Sequence, residues 1–128
     1  MNLLLDTHAL LWLFSNDARL SNPAREAFLN KDNTLHFSIV GLWELTIKVS
    51  LGKIRLAENW MPSLLKEMKR NQVGWLAITS GHCAKLAELP FHHRDPFDRM
   101  LVAQALAENM ALVSRNENFA KYGARCIW

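Results

Sequence analysis

The sequence predicts an α/β fold in which a central, mainly parallel sheet lies between two layers of helices. Short strand-like runs alternate with helical segments along the chain, which is the pattern of a doubly wound sheet. The first run, residues 3–5, is continuously apolar, as expected of a central strand buried on both faces. No repeat, low-complexity tract or linker divides the 128 residues. We therefore expect one domain over residues 1–128, with a three-layer α/β/α architecture.

Caps and apolar spacing define the elements of the first half of the chain. A helix is expected from Thr7, and Ser21 caps a second helix that has a proline just inside its first turn. In a third helix, which Gly52 ends, apolar residues recur every four positions at Ile39, Trp43, Ile47 and Leu51. The predicted elements are strand 3–5, a helix from 7, helix 24–29, strand 34–38, helix 39–51 and amphipathic helix 59–70.

The second half continues the same alternation. Pro90 ends one helix, and Asp95 begins the next as a capping residue followed by a proline at the first helical position. The apolar residues of that second helix that are expected to face inward are Phe97, Leu101, Ala105 and Leu106. The predicted elements are strand 72–79, helix 81–86, helix 96–109, strand 111–114, a helical turn over 117–122 and strand 125–128.

Acidic and amide side chains lie close to the predicted strand ends. Asp6 directly follows the first strand, and Asn116 follows the fourth strand by two residues. Glu44 and the Asp95/Asp98 pair lie early in helices. Ligands of parallel sheets bind at the carboxyl ends of the strands, so we expect these residues to share one end of the sheet. Two unit charges about 4 Å apart repel by roughly 4 kcal/mol at an effective dielectric constant of about 20, so such a cluster indicates a divalent cation. Oxygen ligands favour Mg²⁺ or Mn²⁺ over Zn²⁺.

Each of these acids also has a structural explanation. Asp6 suits the role of a helix cap. Glu44 has a salt-bridge partner four residues on, at Lys48. Asp95 and Asp98 have the spacing of a capped helix start, so that one caps while the other reaches the site. We favour Asp98 as the ligand and Asp95 as a cap or outer ligand.

Composition limits the class of protein. Half of the residues are hydrophobic and 21% are charged, which is typical of a globular chain and not of a disordered one. The net charge of +3 is compatible with a polyanionic partner without identifying one. No uncharged apolar stretch approaches about 18 residues and no leader pattern is present, so we expect a cytoplasmic protein outside the membrane. Cys83 and Cys126 fit no metal or redox spacing and are expected to be buried thiols.

Basic, histidine and tryptophan residues have simpler interpretations. His92, His93 and Arg94 precede the acidic pair and are interpreted as surface loop residues, with a phosphate contact as the alternative. The five tryptophans are interpreted as core or interface residues. Arg99 and Arg115 flank the acidic positions and are candidates for substrate contact. The chain has no glycine-rich phosphate loop and no Ser or Cys with convincing His and acid partners.

Short motifs occur in a fixed order over nearly the whole chain. They are LLDTHALLW at 4–12, Glu44, GKI at 52–54, HRDPFDR at 93–99, LVAQA at 101–105, LVS at 112–114, Phe119 and YG at 122–123. In order and spacing they resemble the PIN-domain ribonucleases, in particular the VapC-like toxins of bacterial toxin–antitoxin pairs. The resemblance implies a PIN-like fold for residues 1–128.

The resemblance also assigns roles to the acids. The catalytic, metal-binding set of the family corresponds to Asp6, Glu44 and Asp98, with Asp95 as a further acidic position. The family commonly has a fourth carboxylate where this chain has Asn116, whose side-chain carbonyl is the corresponding candidate ligand. One or two Mg²⁺ or Mn²⁺ ions are implied, with Glu44 or Asp98 positioning the attacking water.

Partners and substrate are implied in the same way. Thr7 and Ser114 match hydroxyl positions that lie beside the site in the family. The implied activity is endonucleolytic cleavage of RNA, by a homodimer that a cognate antitoxin inhibits through a segment inserted into the acidic groove. The apolar first helix, with Leu10, Leu11 and Phe14, is a candidate interface.

Three other functions are alternatives to this one. A phosphoacceptor receiver domain needs adjacent acids after the first strand, but Thr7 follows Asp6. A haloacid-type phosphatase needs a second aspartate two residues after the first, where this chain has His8. The alternative that stays open, because of Asn116, is a catalytically weakened PIN-fold module that binds RNA or protein without cutting.

Overall fold

A computed structural model describes residues 1–128 and contains five strands, six α-helices and one 3₁₀ helix. The predicted α/β/α fold class is confirmed, with alternating strands and helices. In chain order the elements are β1 (Asn2–Leu5), α1 (Thr7–Phe14), α2 (Asn22–Leu29), β2 (Thr34–Ser38), α3 (Ile39–Ser50), α4 (Trp60–Arg70), β3 (Val73–Leu76), α5 (Ser80–Glu88), α6 (Pro96–Glu108), β4 (Ala111–Val113), the 3₁₀ helix (Phe119–Tyr122) and β5 (Cys126–Ile127).

The sheet is entirely parallel and its strand order is β3-β2-β1-β4-β5. The chain first builds outward from β1 to β2 and β3, and then crosses to the other side of β1 for β4 and β5. The strand order therefore reverses between β1 and β4. A crevice opens at the carboxyl ends of the strands at such a reversal, and this is where ligands bind in doubly wound sheets.

The alternating side chains of β1 separate two cores on opposite faces of the sheet. Leu3 and Leu5 pack with residues of α1 and α4 in one cluster, whereas Leu4 packs with residues of α6 in the other. All three leucines are fully buried. The continuous apolar run therefore has the predicted cause, which is burial of a central strand on both faces.

Side-chain caps set where several helices begin. Ser21 accepts a hydrogen bond from the backbone N–H of Ala24, and Asp95 accepts from the first turn of α6, as predicted. Thr79 caps α5, and His82 reciprocates by accepting from the Thr79 N–H. This cap explains why β3 is shorter than predicted, since the chain leaves the sheet before Thr79 to enter the helix.

One expectation about burial differs from the structure. The cysteines Cys83 and Cys126 are exposed, so the prediction of buried thiols was wrong. On α3, Ile39 and Trp43 are 39% and 58% exposed, although they belong to the apolar stripe spaced by four. The core side of α3 instead carries Val40, Gly41 and Leu45. Ile39 and Trp43 therefore form an exposed apolar surface on this helix. No helix has the length and apolarity needed to cross a bilayer.

Candidate metal centre

A polar cavity of about 310 Å³ opens where the strand order reverses. The end of β1, the start of α1, the middle of α3, the start of α6 and the segment after β4 all contribute to it. The lining residues are Asp6, Thr7, His8, Trp12, Glu44, Lys48, Asp95, Asp98, Leu101, Arg115 and Asn116. The structure thus brings the predicted acidic residues and Asn116 together in one place.

Three carboxylates form the centre of this cavity. One carboxylate oxygen each from Glu44, Asp95 and Asp98 lies within 4.8 Å of the other two. Glu44 reaches the group from α3, while Asp95 and Asp98 come from the cap and first turn of α6. The donor set consists of oxygen atoms only, which fits Mg²⁺ or Mn²⁺ and does not fit a thiol- or imidazole-based site.

Glu44 and Asp98 have pKa values above those of free carboxylates. Burial raises the pKa of Glu44; Lys48 opposes this effect. The negative charges of Asp95 and Asp98 add to the rise in the pKa of Glu44. Burial likewise raises the pKa of Asp98, with a further contribution from Asp95 and an opposing hydrogen bond from His93. A cation among these oxygens would offset both the desolvation and the mutual repulsion.

These pKa shifts predict how stability depends on pH. Asp6, Glu44 and Asp98 have pKa values raised by burial, so the folded protein binds more protons than the unfolded chain in weakly acidic solution. These three carboxyl groups therefore stabilise the fold most when the pH is below their pKa values in the unfolded chain. This contribution is lost as the pH rises through their pKa values in the folded protein. In EDTA, we expect Glu44→Gln and Asp98→Asn to reduce this loss between pH 4 and pH 7, as measured by urea unfolding. An unchanged pH profile in both variants would contradict the prediction, and the exposed Glu88→Gln serves as the control.

Both carboxylate oxygens of Asp6 accept hydrogen bonds within the protein. Its Oδ1 accepts a hydrogen bond of 2.8 Å from the backbone N–H of Ala9 and so caps α1. Its Oδ2 accepts a hydrogen bond from the Ser114 hydroxyl. Ser114 in turn accepts from the backbone N–H of Asn116 at 3.0 Å, which ties β1 to the segment after β4. The Ser114 side chain is buried, and the hydrogen bond that its hydroxyl donates goes to Asp6.

Asn116 lies in the cavity but directs its nitrogen toward the acids. Its Nδ2 donates to Asp98 Oδ2 at 3.0 Å, and its Oδ1 accepts from the backbone N–H of Asn118 at 3.0 Å. The carbonyl oxygen predicted as a cation ligand is therefore already engaged by the backbone. In this structure Asn116 is a hydrogen-bond donor to Asp98.

The two arginines predicted to contact substrate have different surroundings. Arg115 lines the cavity, with its guanidinium carbon 4.8 Å from the ring centroid of Trp12. Arg99 is buried outside the cavity, where it donates to the carbonyl oxygens of Pro90 at 2.7 Å and Leu89 at 3.3 Å. Its position at the start of α6 suggested proximity to the acids, but the side chain turns to the preceding loop. The structure thus gives no support to a substrate contact by Arg99.

A close approach between α1 and α3 depends on Gly41. A Cβ atom at this position would lie 2.7 Å from the ring of Phe37 and 3.1 Å from Thr7 Oγ1. Thr7 is buried at the wall of the cavity, and its hydroxyl is 3.5 Å from the carbonyl oxygen of Gly41. The absence of a side chain at Gly41 lets α3, and with it Glu44, come close to the end of β1.

Two residues near the acids, His8 and His93, were not predicted to lie there, whereas the sequence already offered Lys48 as a salt-bridge partner of Glu44. His8 lines the cavity, and Lys48 Nζ lies 3.7 Å from Glu44 Oε2, so Glu44 has its salt bridge as well as its place among the acids. His93, interpreted as a surface loop residue, is half-buried and its Nε2 lies 3.4 Å from Asp98 Oδ2. The sequence indicated only that His93 lies five residues before Asp98. The partner that orients it, Tyr122, is 29 residues away.

Comparisons with known proteins agree with the fold. The model of the PIN domain family matches residues 3–125. Similar solved structures include VapBC2 from Rickettsia felis bound to a DNA fragment from their promoter, at 19% identity and a TM-score of 0.74, covering 98% of this chain and 97% of that chain. VapBC-1 from nontypeable Haemophilus influenzae matches at 19% identity and a TM-score of 0.71, covering 98% and 96%. DNA-bound VapBC from Salmonella typhimurium matches at 18% identity and 0.72, also covering 98% and 96%. A comparison with curated proteins found no match. At these identities the structural likeness shows a shared fold.

Proposed function

Because this chain belongs to the PIN domain family, we propose that it is a metal-dependent endoribonuclease and the toxin of a toxin–antitoxin pair. The observation that carries the proposal is the approach of Glu44, Asp95 and Asp98 to within 4.8 Å in a cavity that Asp6 also lines. Carboxylates held this close repel one another, and not every one of them has a basic partner. Such a group suits a divalent cation.

The proposed ligands are Asp6, Glu44 and Asp98, with Asp95 as a further oxygen donor. When bound, Mg²⁺ or Mn²⁺ supplies Lewis acidity toward a phosphodiester and the attacking water. Either Glu44 or Asp98 is proposed to orient that water, since both carboxylates face the cavity. Asn116, whose carbonyl is engaged by Asn118, favours one ion over two.

Basic residues at the same cavity suit a phosphate backbone. Lys48 and Arg115 line it beside the acids. Contacts from lysine and arginine to phosphate oxygens position a nucleic acid without reading its sequence. We propose that these two residues hold the RNA strand while the carboxylates act on the scissile phosphate. Thr7 lines the cavity next to Asp6. The Ser114 hydroxyl holds the Asp6 carboxylate through a hydrogen bond.

The proposed reaction predicts strict dependence on a divalent cation. Purified protein incubated with total tRNA and Mn²⁺ or Mg²⁺ should release discrete fragments, and EDTA should abolish the cleavage until excess Mn²⁺ is added. Gel analysis of the RNA measures this directly. Cleavage that persists in EDTA would contradict the proposal. Binding of tRNA without cleavage, at any concentration of Mn²⁺, would instead support a PIN-fold binding module.

An apolar groove adjoins the acidic cavity and is the proposed antitoxin site. It has a volume of about 480 Å³ and lies between α1 and α4, where Leu11, Phe14 and Trp60 contribute to its walls. His8 and Trp12 line both this groove and the acidic cavity. An apolar segment in the groove can therefore continue into the cavity, where a basic side chain would pair with the acids. One of the similar solved structures is described as a toxin–antitoxin complex from Klebsiella pneumoniae.

We propose that the exposed apolar side of α3 forms the homodimer interface. Ile39 and Trp43 lie one turn apart on this helix, and the Trp43 ring packs at 5.1 Å against Phe97 of α6. Clustered exposed apolar side chains mark association surfaces. Trp43→Lys should convert the dimer to a monomer at micromolar concentration, as measured by light scattering after size exclusion. Lys66→Ala on α4 is the control. Equal masses for Trp43→Lys and the wild type would contradict this assignment.

A further inference from the structure

Asp98 presents its two carboxylate oxygens to different surroundings. Oδ2 accepts from Asn116 Nδ2 at 3.0 Å and lies 3.4 Å from His93 Nε2. These donors come from different segments of the chain, since Asn116 follows β4 and His93 precedes α6. No hydrogen bond from the protein reaches Oδ1. Oδ1 is therefore the oxygen that Asp98 has free for a ligand.

The Tyr122 hydroxyl determines which nitrogen of His93 carries a proton. Its oxygen accepts from the backbone N–H of His93 at 3.2 Å and from Arg99 Nη1 at 3.3 Å. A phenol oxygen has two lone pairs and a single proton to donate, and these two contacts occupy the lone pairs. The proton is then available to His93 Nδ1 at 2.6 Å, which is much closer than the His93 carbonyl oxygen at 3.4 Å. Nδ1 is thus the acceptor, which leaves the proton of the neutral ring on Nε2, next to Asp98.

Arg99 fixes the far end of this chain of hydrogen bonds. Its guanidinium is buried, donates to the carbonyl oxygens of Leu89 and Pro90, and stacks 3.9 Å from the ring centroid of Phe91. No carboxylate pairs with it, so its charge is compensated by carbonyl oxygens and an aromatic face. Arg99 therefore holds the Tyr122 hydroxyl in one position. This explains a buried arginine at a place where the sequence suggested a substrate contact.

We propose that His93 and Tyr122 are positioning residues for Asp98. The Tyr122 hydroxyl selects the Nε2–H form of His93, and that N–H together with the Asn116 amide holds Oδ2, leaving Oδ1 for the cation. Hydrogen-bonded partners of a ligating carboxylate set its orientation and contribute about 10–100-fold to metal affinity or activity. The cation part of this inference rests on the proposed function, whereas the ring form of His93 does not.

The ring form can be measured in protein that contains no metal. Long-range ¹H–¹⁵N NMR spectra of uniformly labelled protein at about pH 8, where a free histidine is neutral, distinguish the two forms. We expect the Nε2–H form for His93 in the wild type and a mixture of both forms in Tyr122→Phe. An Nδ1–H ring in the wild type, or an unchanged spectrum of His93 in Tyr122→Phe, would overturn the inference.

Cation affinity tests the positioning role separately. Calorimetric titration with Mn²⁺ should show binding about 10–100-fold weaker in Tyr122→Phe and His93→Asn than in the wild type. His93→Gln should bind within about threefold of the wild type, because its amide nitrogen can replace Nε2–H. His92→Gln is the matched control, since His92 packs on the same Tyr122 ring at 4.8 Å without a hydrogen bond to the site. Circular dichroism verifies that each variant is folded.

The two possible failures give different results. Wild-type affinity in Tyr122→Phe and in both His93 variants would overturn the positioning role while the proposed metal site stands. A wild-type protein that binds no Mn²⁺ would overturn the proposed function together with the positioning role. The His93 pair keeps the inference testable even where Tyr122→Phe does not fold, because Tyr122 is also a core residue of the 3₁₀ helix.

Discussion

Asp98→Asn should lower the rate of Mn²⁺-dependent RNA cleavage by about 10²–10³-fold, which corresponds to about 3–4 kcal/mol of transition-state stabilisation. One carboxylate oxygen of Asp98 lies within 4.8 Å of oxygens of Glu44 and Asp95, and no protein donor occupies its Oδ1. The substitution removes the charge and keeps the shape of the side chain. Its amide oxygen can still accept from Asn116. Initial rates on a tRNA substrate at saturating Mn²⁺ measure the effect.

The same variant should be at least as stable as the wild type in EDTA. Asp98 is one of three carboxylates within 4.8 Å, and removing its charge relieves repulsion that no protein cation fully offsets. Loss of activity together with a maintained or raised melting temperature would separate a functional effect from an unfolding effect. Glu88→Gln, which changes an exposed acid on α5, is the charge-matched control and should change neither quantity. Wild-type cleavage rates in Asp98→Asn would refute its assignment as a ligand.

Phe37→Ala should have the largest effect on stability, with a loss of about 3–5 kcal/mol. Phe37 is fully buried in β2, and its ring packs 5.8 Å from that of Trp75 and directly beneath Gly41. Removing the ring leaves a cavity at the junction of β2, β3 and α3. Since α3 carries Glu44, we expect weaker Mn²⁺ binding as well.

Urea unfolding, followed by tryptophan fluorescence and by circular dichroism, measures this loss. Phe37→Leu is the control and should lose only about 1–2 kcal/mol, because it keeps most of the buried carbon atoms. Equal stabilities for the two variants would show that the ring is not a central part of the core.

The fold was predictable because its determinants are local in sequence. The strand at Thr34–Ser38 and the start of α6 match the prediction, since the alternation of Leu35 and Phe37 with polar residues and the Asp-Pro cap are both features of neighbouring residues. The convergence of Asp6, Glu44 and Asp98 was predictable for a related reason. Asp6 follows a strand and Asp98 lies in the first turn of a helix, and a parallel sheet brings such positions to one edge. Glu44 lies in the middle of α3, the helix that directly follows β2.

Other features depend on contacts between residues that are distant in sequence, and a local sequence pattern does not predict such contacts. The role of His93 needs Tyr122, and the burial of Arg99 needs the carbonyl oxygens of a loop ten residues earlier. Apolar spacing on α3 indicated a helix but not which side faces the core, because residues at Ile39 and Trp43 are as apolar as the buried ones. Asn116 shows a further limit, since the sequence identifies the amide but not which of its atoms faces Asp98.

The proposed assembly of distant acids into one cation site can be tested by diffraction from a crystal soaked in Mn²⁺. At a wavelength with anomalous signal from manganese, we expect a peak in the cavity at about 2.0–2.3 Å from oxygens of Glu44 and Asp98. The Asp98→Asn crystal should lose the peak or show it much weakened. A saturated crystal with no peak in this cavity, or with manganese bound only elsewhere, would contradict the assignment.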